Sequence, residues 1–247
     1  MCGRYGASWG VDDLVEQYEL QVVDAAAHLE PDYNVAPTKP VCAVVHRREH
    51  GAPEDAPRVR RLMALRWGLV PFWAKDPAVG SRMINARIET APEKPAFREA
   101  FARRRCLLPA DGYYEWIGDK GRKQPYFIRA TAGGGLAMAG LYEFWRDPTR
   151  DRDDPAAWLA TCTILTTSAS DSVGHIHDRQ PLFVEPGSYA AWLDPAAADP
   201  AVLTGLLTPV PGGGLSAYAV GTDVNDVRNN GAHLVEPLAE AEPQTLF

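Results

Sequence analysis

Residues 106–145, CLLPADGYYEWIGDKGRKQPYFIRATAGGGLAMAGLYEFW, decide the fold. Three runs inside it, 106–116, 124–130 and 135–145, are rich in aromatic and apolar side chains and read as strands. The polar segment GDKGRK (118–123) between the first two reads as a hairpin loop. Working outward, VCAVVH (41–46), a stretch around 59–67 and WLATCTILTT (158–167) carry the same strand character. Helices are predicted where Val11, Leu14, Val15 and Tyr18 fall at helical spacing behind Asp12 and Asp13, and over 94–104, 187–193 and 200–207. The sum is a β-rich α+β domain.

The chain has 247 residues, 46% hydrophobic and 23% charged, which excludes a disordered tail and is ample for one core. We expect one domain over 1–247, with exposed loops at 50–58 and 146–157, both rich in Pro and charge, and a tail at 238–247. No run approaches the ~20 apolar residues of a membrane span, and the N-terminus lacks a signal-peptide core, so the expectation is a cytoplasmic protein with no membrane partner. Lys and Arg total 25 against 32 Asp and Glu, a net charge of -7. That balance argues against charge-driven coating of nucleic acid, although it leaves room for a local basic groove.

Four cysteines, Cys2, Cys42, Cys106 and Cys162, lie far apart, and none forms the C-x-x-C pair of a zinc site or redox motif. The last three sit in apolar runs and read as buried small hydrophobes. Cys2 differs. Removal of Met1 would give it a free α-amine and a β-thiol on one residue. The amine condenses with an aldehyde to an imine, and the thiol then closes a five-membered thiazolidine ring, a step favoured because it is intramolecular.

The company Cys2 keeps gives that chemistry a setting. MCGRY at the start is followed by YNVAPT (33–38), LRWGLVPFWAKD (65–76), INARIET (84–90), LLPADGYYEW (107–116), ILTTSA (164–169), GHIHDRQP (174–181) and VNDVRNNGAHLVEP (224–237). In this order, over nearly the whole chain, these blocks closely resemble the SRAP family, the SOS response-associated peptidases. The resemblance implies a single β-rich domain whose twisted sheets form an open barrel-like core flanked by short helices. It implies covalent capture of abasic sites in single-stranded DNA through Cys2, after loss of Met1 by the domain's own action, with no cofactor and no metal. It further implies a monomer in the bacterial cytoplasm that joins the nucleoid on damage, with replication proteins as further partners.

By position, the resemblance makes Cys2 the nucleophile, Asn85 the group that orients the cysteine or the sugar, and Glu115 and His177 the proton-transfer pair. An amide bridges without titrating, a carboxyl desolvated by neighbouring rings gains a raised pKa, and imidazole serves in either protonation state. His175 lies two residues from His177, and the HDR context selects His177. Arg4, Arg87 and Arg179 are the expected phosphate contacts, with Trp116 and Trp73 near the unstacked lesion and Pro37 and Trp73 as wedges. Trp67 and Trp73 are equally open to a core role. The run Arg103, Arg104 and Arg105 reads as a solvated helix end. Gln180, after HDR, departs from the family and is expected to tune contacts. Two other readings remain: a cysteine peptidase of the N-terminal nucleophile class acting in trans, and a non-covalent reader of modified DNA bases.

Overall fold

The computed structural model describes residues 2–49, 51–119, 123–169, 173–174 and 176–238. In chain order the first half contains β1 (Tyr5–Ala7), α1 (Val11–Tyr18), β2 (Val22–Val23), β3 (Asp32–Val35), β4 (Pro40–Arg47), β5 (Val59–Trp67), β6 (Asn85–Arg87), α2 (Arg98–Arg103) and β7 (Arg105–Ala110). The second half contains β8 (Gly112–Ile117), β9 (Gln124–Ala130), β10 (Leu136–Arg146), β11 (Trp158–Ser168), β12 (Arg179–Pro181), β13 (Phe183–Val184), α3 (Tyr189–Leu193), α4 (Pro200–Gly205), β14 (Leu207–Thr208) and β15 (Leu215–Ala219). The expected strands and helices are present, with 106–116 broken into β7 and β8 at Asp111.

Five strands close a barrel. β5 pairs with β4, β4 with β7, β7 with β10, β10 with β11, and β11 returns to β5 in parallel through Cys162 and Trp67. The hydrogen-bonded ring is thus complete, which removes edges that would otherwise stand unpaired. A second, antiparallel sheet runs β15-β9-β8-β1-β3. The core between barrel and sheet holds Trp67, Leu108, Tyr113, Ile164 and Cys2. Helices α1 to α3 and the α4 side chain Leu203 cover another face of the barrel, where Tyr18 stacks on Tyr189 with ring centroids 5.3 Å apart.

Alternation along β8 sorts its side chains between two environments, as period two requires. Tyr113 joins the core that holds Cys2, whereas Tyr114 and Trp116 pack with Val220, Val224 and Leu234 of the C-terminal segment. Gly112, at the start of the strand, cannot carry a side chain. A Cβ there would lie 2.4 Å from the Ile128 carbonyl oxygen.

Cys106 and Cys162 are buried and Cys42 is half-buried, all as free thiols. Of the loops, 51–58 is largely exposed and His50 lies outside the described residues. Over 146–157 the chain is exposed except around Asp147, Asp154 and Ala157. In 118–123, Gly118 and Asp119 are exposed and 120–122 fall outside the description, as does the tail beyond Leu238.

One expectation is corrected. Arg105 is no solvated helix end: it is 2% exposed and opens β7. Its five N–H groups donate to the carbonyl oxygens of Phe101, Ala102, Trp192, Asp194 and Ala197. The last turns of α2 and α3 leave carbonyls unpartnered and carry the negative end of each dipole, so one buried guanidinium satisfies both. Arg104 pairs with Glu143 at 2.7 Å, and only Arg103 of the three is exposed.

Candidate active site

Cys2 enters the core just ahead of β1, fully buried, with its Sγ 4.0 Å from the Arg4 carbonyl oxygen. β1 is held to β8 through Tyr5 opposite Tyr113, and the Tyr114 amide donates to the Arg4 carbonyl at 2.9 Å. Burial, then the proximity of Glu115, pushes the Cys2 thiol well above its ordinary pKa.

Asn85 reaches Cys2 from β6. Residues 68–84 leave the end of β5, pass through Trp73 and return at β6, and the excursion is pinched shut where Gly68 (φ +126°) meets Gly80. A Cβ on either would lie within 2.6 Å of the other's carbonyl oxygen. β6 then docks parallel to β11, with Asn85 opposite Ile164, and the Asn85 Nδ2 donates to the Cys2 carbonyl oxygen at 2.7 Å. Its Oδ1 is buried with no hydrogen-bond partner among the described residues.

Glu115 is 4% exposed, on the same face of β8 as Tyr113. Burial raises its pKa, and positive charge nearby, His177 included, opposes that rise. His177 stands at the mouth of the site, half-exposed, in a segment whose Val173 and Ile176 pack into the Cys2 core. Its Nδ1 lies 2.9 Å from the Arg179 amide nitrogen and 2.8 Å from Asp178 Oδ1. The amide contact needs a bare Nδ1 and the carboxylate contact a protonated one, so a given placement of the ring proton serves only one of the two. Cys2, Asn85, Glu115 and His177 therefore occupy one neighbourhood built from four separate parts of the chain. His175 lies outside the described residues.

The expected DNA contacts divide into groups. Arg4 donates to Asn34 Oδ1 at 2.7 Å and to the Val224 carbonyl at 2.8 Å, and its guanidinium lies 5.8 Å from the Trp116 ring centroid. Trp116 in turn donates to Asn225 at 2.8 Å. Asn34, quoted within YNVAPT but given no role by the sequence, is the hub here, also donating to the Asp226 and Asn229 carbonyls at 3.0 Å. Arg87 is exposed on β6, beside Thr166 of β11, and Arg179 sits on β12 beside the same strand. Arg179 makes a bidentate pair with Glu89 at 2.8 and 3.0 Å, so a phosphate would have to draw it away.

Trp67 is buried and donates to the Ile84 carbonyl, whereas Trp73 is 54% exposed beside Phe72 and lines a cavity with Pro95, Arg98, Arg104 and Glu143. Core and surface roles are thus split between the two tryptophans. Pro37 is half-buried in the turn between β3 and β4, which is tied to β5 by the Thr38 amide donating to the Trp67 carbonyl at 2.8 Å. Thr38 takes φ +73°, a strained conformation for a β-branched residue. Gln180, expected to tune contacts with the strand, is instead fully buried and donates to the Pro209 carbonyl at 2.5 Å.

The family model for SOS response associated peptidase (SRAP) matches residues 1–227. The chain belongs to the SRAP family. SRAP relatives include the abasic site processing protein YoqW of Bacillus subtilis, 38% identical over 96% of this chain and 99% of that protein. Another is the abasic site processing protein YedK of Escherichia coli, 31% identical over 96% and 100%. A crystal structure of a protein from Bacteroides thetaiotaomicron superposes on this SRAP fold with a TM-score of 0.79 at 24% identity, covering 96% of this chain and all of that one. Among the described residues no helix is long and apolar enough to cross a membrane.

Proposed function

We propose that this SRAP domain captures abasic sites in single-stranded DNA by a thiazolidine bond to Cys2, once Met1 has been hydrolysed away. The observation that carries the reading is the seating of residue 2. Its carbonyl is held by the Asn85 amide at 2.7 Å, and its thiol is buried next to Glu115, itself beside His177. Asn85 fixes the backbone so that the freed amine and the thiol share one orientation toward an incoming aldehyde. The amine adds to C1′ of the opened sugar and one water leaves, giving the imine. The thiol then adds across the carbon–nitrogen double bond, forming the S–C bond and returning a proton to nitrogen.

Glu115, with its pKa raised by burial, moves protons among thiol, carbinolamine and imine, and His177 at the mouth serves the sugar hydroxyl whose proton must shift for the ring to open. Arg4, Arg87 and Arg179 hold phosphates, Trp116 and Trp73 stack near the gap, and Pro37 flanks it. The protein acts as a cytoplasmic monomer, and the bond, rather than charge, supplies retention.

The test is a purified mature protein mixed with a single-stranded oligonucleotide bearing one abasic site. We expect an SDS-resistant, salt-resistant shift that Cys2→Ala abolishes, with binding to the intact strand weak and salt-sensitive. No shift with the mature protein, or an undiminished shift with Cys2→Ala, overturns the reading. Turnover on peptides other than the Met1–Cys2 bond would favour the peptidase reading instead.

A further inference from the structure

Tyr113 carries a polar atom that the fold leaves unused. The residue is wholly buried in β8, and its ring centroid lies 6.5 Å from that of Phe183. Its hydroxyl is sealed from solvent with no hydrogen-bond partner among the described residues. Phenylalanine would serve packing as well, and a buried hydroxyl without a partner destabilises the fold. Strand alternation places Tyr113 on the face of β8 that also presents Glu115, and the same apolar cluster holds Cys2. Two reactive groups and one reserved donor therefore share an enclosed space.

We propose that the Tyr113 hydroxyl is held for the sulfur of Cys2, donating a hydrogen bond to the thiolate as it forms and attacks. This rests on reading Cys2 as the nucleophile. The Sγ proton passes to the Glu115 carboxylate, and the thiolate accepts from Tyr113. The S–C bond then forms at the imine carbon, the π pair moves to nitrogen, and nitrogen takes the proton back from Glu115. Tyr113 keeps its own proton throughout. Burial, then the nearness of Cys2 and Glu115, holds the phenol well above its ordinary pKa, so that it acts as a donor. A donor at this position offsets the desolvation that otherwise keeps a buried thiol neutral.

Tyr113→Phe removes one oxygen that bonds to nothing, so the variant is expected to fold, and its melting curve checks this first. Mature wild type and variant are alkylated with iodoacetamide from about pH 6 to 10, and the Cys2 peptide is followed by mass spectrometry. The expected result is a curve of alkylation rate against pH displaced to higher pH by about one unit in the variant, with Cys106 and Cys162 unchanged. Crosslinking to the abasic oligonucleotide at neutral pH slows roughly tenfold, to the same final yield, and its pH profile moves with the alkylation curve. Superimposable alkylation and crosslinking curves for the two proteins overturn the role of Tyr113. A displaced alkylation curve in a protein that never crosslinks keeps that role and discards the abasic reading, so the two failures are distinguishable.

Discussion

Arg105 and the Cys2 site are both closed to water, and the fold treats their polar atoms in opposite ways. At Arg105 every donor of a buried cation is matched by a carbonyl from the end of α2, the end of α3 or the turn that follows α3. Among the described residues no carboxylate lies at hydrogen-bond distance from it, and burial lowers its pKa to about 10, still charged at neutral pH. At the Cys2 site, the Tyr113 hydroxyl and the Asn85 Oδ1 are buried without partners among the described residues, around a thiol and a carboxyl whose charged forms burial disfavours. Buried polar groups that are fully satisfied hold a structure together, and groups left unsatisfied mark where a ligand completes them. The contrast predicts opposite signs of stability change when each region is trimmed.

The largest effect is expected at the satisfied end. Arg105→Met strips five carbonyls of their donor and should destabilise by about 3–5 kcal/mol, read as a lower urea midpoint. Arg105→Lys keeps the charge but has three donors on a single nitrogen, and should recover only part of the loss. Crosslinking by the fraction that remains folded should be unaltered. A near-neutral Arg105→Met would erase the contrast.

Much of this could be read in the sequence, because strands and α1 declare themselves through local patterning. The strand predicted at 124–130 and the helix at Val11–Tyr18 are found at those bounds. Closure of the barrel could not be read, since it depends on β11 pairing with both β10 and the distant β5. Arg105 was misleading for the same reason: RRR after a helix resembles a solvated end until α3, 87 residues on, brings the Trp192 carbonyl to it. The site residues came from motif blocks, but neither the burial of Cys2 nor the commitment of Arg179 to Glu89, 90 residues away, has a local signature. For Tyr113 a signal did exist. It lies two residues before Glu115 on a predicted strand, which places both on one face.

At the unsatisfied end the sign should reverse. Tyr113→Phe removes a hydroxyl with nothing to bond to, and should stabilise by about 1 kcal/mol, seen as a higher urea midpoint at unchanged slope. A loss of similar size would mean that the hydroxyl has a structural partner, and the site would then resemble the Arg105 region after all.

The smallest effect, and the one with a pH signature, belongs to Glu115→Gln. Burial raises the folded-state pKa of Glu115 above its ordinary 4.5, so folding takes up a proton between those two values. Wild-type stability from this group is therefore fully present below pH 4.5 and is lost as pH rises through the folded value. Glutamine does not titrate, so the variant should gain on wild type as pH rises through that window and hold the gain at pH near 7.5. The gain is limited because the attraction of His177 for the carboxylate already opposes the rise in the folded-state pKa. Urea unfolding of both proteins across the acid range checks the slope of the difference. A variant that instead loses ground with rising pH would show Glu115 to be a carboxylate stabilised in its charged form, against a role in passing protons to and from Cys2.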